Sequence, residues 1–246
     1  MAEKLAPQYD ANFFEGQSPG SRRSAAVVVP VVNELVRPRS VLDVGCGVGT
    51  WLAEWSCGGV TDLCGLDGEY VDRSAMQIQP SNFTAMDLRK PFSLGRRFDL
   101  VQSLEVAEHL EESCSDMLVQ SLASHGDTIL FSAAVPGQGG TNHVNEQWPS
   151  YWAEKFSWLG LKPFDVVRPV IWNDSRVDWW YRQNILIFSK NAAFEMRQPC
   201  IDVVHPECFK ANHQYRKPPL RQLVGDFPAA VGCAMRNRLL PKRSVN

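Results

Sequence analysis

The chain has 246 residues, 44% of them hydrophobic and 21% charged, with a formal net charge of -2. That length suits one large α/β domain with appendages better than two full domains, and the composition is that of an ordinary soluble globular protein. The charge balance excludes the overall basic surplus typical of nucleic-acid binders, and a solvated tail accounts equally well for the basic Arg236, Arg238, Lys242 and Arg243.

Taken in chain order, residues 7–20 combine Tyr9, Phe13, Phe14, Gly16, Pro19 and Gly20. They read as an irregular segment that packs over something. With Gln17 they form a candidate lid over a ligand. A helix follows over 21–36, opened by Ser21, carrying Pro30 inside it and closing before Pro38. From residue 40 apolar runs alternate with helical patterns. Strands are predicted over 40–46, 62–66, 82–86, 98–104, 127–135, 162–171 and 181–189. Helices are predicted over 49–56, 113–124 and 148–159. This alternation argues an α/β fold with a doubly wound, parallel, Rossmann-like sheet. Residues 1–38 are then a lid and helix, 39–190 the domain proper, and 191–246 an irregular, proline-bearing extension. No apolar run is long enough to span a membrane, and the polar N-terminus is unlike a signal peptide. The seven cysteines are scattered without a Cys-x-x-Cys pair, so reduced thiols and a cytoplasmic location are expected.

The most informative stretch is 41–49, where a strand feeds Gly45, Gly47 and Gly49 into a helix. Glycines there permit tight dihedral angles and close approach of a ligand to bare backbone. The spacing misses the dinucleotide register G-x-G-x-x-G. The preceding Asp43 suits a cationic amine, through backbone or water contacts, and suits a pyrophosphate poorly. Asp67 and Asp87 end the second and third strands, where a carboxylate can accept ribose hydroxyls. Each aspartate alone could be a turn or cap residue.

The run from Asp43 to Gly49 resembles the first motif of class I methyltransferases dependent on S-adenosylmethionine (SAM). The likeness covers about residues 9–190. It implies a seven-stranded sheet, SAM as cofactor, Asp67 on the ribose and Asp87 on the adenine amine. Cys46, Gly68, Met86, Leu88 and Leu104 complete the cofactor contacts it implies. Behind the fourth strand come Glu105, Glu108 and His109. On a helical turn Glu105 would share a face with both Glu108 and His109. This pattern is similar to that of ubiquinone-biosynthesis O-methyltransferases and of small-RNA 2′-O-methyltransferases. In the latter, two Glu and two His hold a divalent metal, which makes His143 the fourth ligand. The residue types suit Mg, Mn, Fe or Zn. Two alternatives stand beside it: a metal-free turn in which the glutamates cap or pair, and His143 as a general base.

The expected activity is methyl transfer to a small polar acceptor, a hydroxyl of a sugar, glycan or secondary metabolite. His143, His109 and Glu105 are the candidate catalytic residues. A small-molecule amine, an RNA end and a non-catalytic SAM-binding module are the alternatives, and the acidic balance argues against nucleic acid. Two aromatic groups, 148–158 and 172–181, suit either core packing or a flat ligand. Cys200, His205, Cys208 and His213 match no zinc spacing.

Overall fold

The computed structural model describes residues 11–191 and 201–215. Two compact units divide it at Cys208. The first holds a seven-stranded sheet in the order β3-β2-β1-β4-β5-β7-β6. Its strands are β1 (Ser40–Val44), β2 (Asp62–Asp67), β3 (Phe83–Ala85), β4 (Leu100–Leu104), β5 (Thr128–Ser132), β6 (Lys162–Phe164) and β7 (Leu186–Ser189). The first five are parallel, and β7 runs antiparallel to both β5 and β6. The fully parallel expectation is thus corrected at one edge. Of the second unit only 209–215 is described, the end of a helix Pro206–Tyr215.

Strand composition explains the layering. Every residue of β4, β5 and β7 except Thr128 is buried, as strands covered on both faces require. Alternate side chains feed two cores. On one face Val41, Leu100 and Leu130 pack with α1 (Ala11–Val36) and α2 (Thr50–Cys57) through Val28, Val32, Leu52 and Trp55. On the other, Leu42, Val101 and Phe131 meet α3 (Ser115–His125) and α4 (Pro149–Ser157) through Leu118, Leu122, Trp152 and Phe156. The indole N–H of the fully buried Trp55 donates to Gln102 in β4 at 2.8 Å.

Four expectations change. Residues 11–20 are helical and continuous with the predicted helix, which passes through Pro30 without a break; Tyr9 of the candidate lid lies outside the described residues. The sixth strand stops at Phe164, because Arg168–Ile171 forms a short helix, α5, with Pro169 in its first turn. Proline is at home there and foreign to a central strand. The seventh strand starts at Leu186, because Trp179–Asn184 is a helix, α6. Within the extension, the helix Pro206–Tyr215, α7, replaces part of the irregular reading. The five described cysteines are free thiols, and no helix among the described residues is long and apolar enough to cross a membrane.

Phe156 is fully buried, stacks on Phe188 at 4.3 Å and meets Phe131 edge-on at 5.4 Å. Phe156→Ala is therefore expected to lower stability by about 3–5 kcal/mol. Urea unfolding followed by circular dichroism checks this.

Candidate functional site

From β1 the chain turns towards β2, and from β4 towards β5, so the ends of these neighbours open a crevice. Gly45, Gly47 and Gly49 line its first wall with φ of 85°, 53° and 83°, a region that side chains disfavour. The amides of Gly45 and Cys46 both donate to the Leu66 carbonyl, at 2.7 and 3.1 Å. A methyl group on Gly45 would fall inside the Val106 side chain, and one on Gly49 against Ile78. Glycine at 45 and 49 thus lets the turn pack directly against Val106 and Ile78.

Each expected cofactor residue has a definite place. Asp43 is buried, and burial pushes its carboxyl up to about 7, with Asp67 adding to the rise and a Gln102 hydrogen bond opposing it. Asp67 accepts from the amides of Gly47 and Gly68, both at 2.7 Å, and from the Tyr70 hydroxyl at 2.5 Å. Burial still raises its pKa. Two donors occupy one carboxylate oxygen and one the other. Asp87 is bound by Arg89 and Lys90, and the Arg89 hydrogen bond takes it down to about 2. Met86 donates its amide to the Asp67 carbonyl at 2.7 Å, and Leu88 and Leu104 are buried. Cys46 is different: a methyl on Gly65 would meet its sulfur, so its side chain packs into the sheet.

The second wall follows β4. Glu105 takes φ of 55°, rare for a residue with a side chain, and its amide donates to the Ser132 carbonyl at 3.0 Å. It therefore lies before the helical turn, which spans only Ala107–His109. The expected shared face with Glu108 and His109 does not form. Its carboxylate accepts from Gln138 at 3.2 Å and Asn184 at 3.1 Å. Glu108 is completely buried, and no hydrogen-bond donor of good geometry reaches either of its oxygens. Burial pushes both carboxyls up, and the Glu105 charge pushes Glu108 up further. With amide donors supporting Glu105, Glu108 is the harder of the two to ionise.

His143 reaches this turn because its loop is stitched there. The amides of Val144 and Asn145 donate to the Glu108 carbonyl at 2.8 and 3.0 Å, and the Asn145 side chain to Ser115 at 3.1 Å. The His109 and His143 rings meet edge-on at 4.9 Å. Ligand atoms of Glu108, His109 and His143 all lie within 4.8 Å of one another. Glu105, a candidate ligand by sequence, does not join them. Burial, with His143 beside it, lowers His109 to about 4, so its ring is neutral at ordinary pH.

Three residues of this site were not singled out by sequence. Glu146 accepts from His143 Nδ1 at 2.9 Å and from the amides of Gly137 and Gly139 at 2.7 Å. Asn184 and Gln183 belong to a stretch read as strand. Gln183 donates to Gln138 at 3.1 Å and accepts from the His205 amide at 2.8 Å. The visible signal was the polarity of 182–184 within an otherwise apolar run. The aromatic groups divide between core and surface. Trp152, Phe156 and Tyr181 are buried, while Trp148 and Trp158 are exposed. His205 is buried against Trp172 and Arg182. Cys200 lies outside the described residues, as do the side chains of His213.

A crevice at the switch point of this sheet, with a glycine turn, a buried carboxylate at the end of β2 and one inverted strand, β7, next to the edge, defines a class I methyltransferase fold. The chain belongs to the methyltransferase-domain family, whose model matches residues 20–159. Solved structures agree on the fold at low identity. DesVI from Streptomyces venezuelae has 16% identity and a TM-score of 0.56, covering 74% of this chain and 98% of its own. The sugar N-methyltransferase KedS8 from a Streptoalloteichus species has 17% and 0.58, covering 78% and 96%. The plantazolicin methyltransferase BpumL, solved with SAH, has 16% and 0.52, covering 74% and 89%. A search of curated proteins finds no match.

Asp67→Ala removes a charged acceptor, so SAM affinity is expected to fall about 10–100-fold, with NAD giving no binding in either protein. Isothermal titration measures both. Cofactor binding also carries a pH signature through Asp43. A cationic amine favours the ionised carboxylate, so binding must expel a proton below the unliganded value of about 7. Affinity is expected to be flat above pH 8 and to fall towards tenfold per unit below pH 6. Titrations in buffers of different ionisation enthalpy test the proton release.

Proposed function

We propose that this chain transfers the methyl group of SAM to a hydroxyl of a small polar acceptor, in the class of sugars, glycans and secondary metabolites. The observation that carries the reading is the convergence of Glu108, His109 and His143 at the end of β4, with Glu108 buried and lacking a hydrogen-bond donor. Two imidazoles and a carboxylate are a borderline donor set that fits Zn, Fe, Mn or Mg. Neutral His109 offers a lone pair, and the buried Glu108 gains a charge partner. When bound, such a cation polarises the acceptor oxygen and eases loss of its proton.

The chain's own residues do the rest. The glycine cradle, Asp43 and Asp67 hold the donor at the mouth of β1 and β2. Glu105 is fixed by Gln138 and Asn184, so the floor of the acceptor site does not shift as charge develops. The acceptor oxygen bonds to the methyl carbon as the carbon–sulfur bond breaks, its electron pair staying on sulfur. Alignment of the two is the main catalytic demand.

A second reading is favoured by the 2.9 Å contact between His143 Nδ1 and Glu146. It makes His143 Nε2 the base that takes the hydroxyl proton, without a metal. An amine acceptor is supported by the likeness to KedS8. A deprotonated nitrogen needs neither base nor cation, so the imidazole-rich centre favours oxygen.

Turnover on a panel of sugar hydroxyls and amines, followed by mass spectrometry, is expected to vanish in excess EDTA and return with one divalent ion. His109→Ala and His143→Ala are each expected to lower turnover about 100-fold or more, with SAM affinity kept. Full turnover in EDTA overturns the metal reading and leaves His143 as base.

A further inference from the structure

The loop between β5 and α4 is an unusual piece of chain. Gly137, Gly139 and Asn142 all take left-handed φ, of 80°, 71° and 59°. Such a path has no helix or strand to hold it. Beyond the Val144 and Asn145 amides on the Glu108 carbonyl, one side chain ties its glycine-rich part together. Glu146 Oε2 accepts the Gly137 amide at 2.7 Å, and Oε1 accepts the Gly139 amide at 2.7 Å and His143 Nδ1 at 2.9 Å. From below, His143 rests on bare backbone, since a methyl on Gly140 would land within the imidazole ring.

We propose that Glu146 is a positioning residue that locks His143 in the Nδ1–H tautomer, so that Nε2 alone presents its lone pair to the acceptor site. A carboxylate can only accept. Its contact with Nδ1 therefore requires the proton on Nδ1 and, in the neutral ring, leaves Nε2 bare. Both other donors on Glu146 are backbone amides, which cannot move without the loop. The carboxylate is thus held in place before it orients the ring. This deepens the proposed function and serves either of its forms, because a metal ligand and a general base both need a lone pair at Nε2. A carboxylate behind a ligating histidine raises its basicity and fixes its rotation.

The test is long-range 1H–15N correlation on the full chain with 15N-labelled histidine, with the His143 signals assigned by their loss in His143→Gln. In the unaltered protein His143 is expected as the Nδ1–H tautomer. Glu146→Ala should give a mixture or the Nε2–H form. Glu146→Gln, which keeps an acceptor oxygen for the ring, should restore Nδ1–H even where loop stability drops. Zinc or manganese affinity, measured by titration calorimetry, is expected to fall about 10–100-fold in Glu146→Ala. An Nε2–H tautomer in the unaltered protein overturns the proposal, and that result does not depend on any variant folding. An unchanged tautomer in folded Glu146→Ala overturns it too. A tautomer shift in a protein that takes up no metal supports the proposal while removing the metal reading. Metal binding with no tautomer shift does the reverse.

Discussion

The contact between Gly45 and Val106 governs the site. β1 and β4 are adjacent and in register from Val41 opposite Leu100 to Asp43 opposite Gln102, so their ends arrive at the same level. Two turns leaving one level in opposite directions collide unless one surrenders its side chain. Gly45 does so, and the Val106 methyls occupy the space its Cβ would need. The Leu66 carbonyl holds the glycine turn by accepting both the Gly45 and Cys46 amides. The glycine turn and the Glu105–His109 turn therefore touch.

That crevice concentrates buried carboxyls. Asp43, Asp67, Glu105 and Glu108 all have raised pKa values because water is excluded from them. Their support differs in kind. Asp67 has three donors and Glu105 two side-chain amides. No donor of good geometry reaches the Glu108 oxygens, which lie beside the Glu105 carboxyl. A buried carboxylate without good donors is costly, so burial drives Glu108 towards its protonated form.

The support for Glu105 comes from far along the chain. Gln138 accepts at one oxygen from the Val135 amide, Gln183 and Asn184. Gln183 in turn accepts the His205 amide. Polar side chains on α6 are thus buried because each has a partner, and the short helix replaces the predicted strand start for that reason. Residues beyond β7 brace the acceptor site through this chain of amides.

The sequence by itself determined the layered α/β fold, the glycine turn and the carboxylates at the ends of β1, β2 and β3. These rest on local rules: both-face burial makes apolar runs, and left-handed turns need glycine. It also marked Glu108, His109 and His143 by residue type. What it could not decide was orientation. Glu105 was placed on a helical turn, but its left-handed φ turns it towards Gln138 and Asn184. The edge strands were overextended because apolar runs such as 162–171 suit strand and buried helix alike, and Pro169 settles the matter only once the sheet order is known. Glu146 stood three residues from His143 in plain view, yet only the path of a loop through Gly137, Gly139 and Asn142 brings its carboxylate under both glycine amides and the ring. Such pairings depend on where strands separated by many residues end in space, and tertiary packing alone decides that.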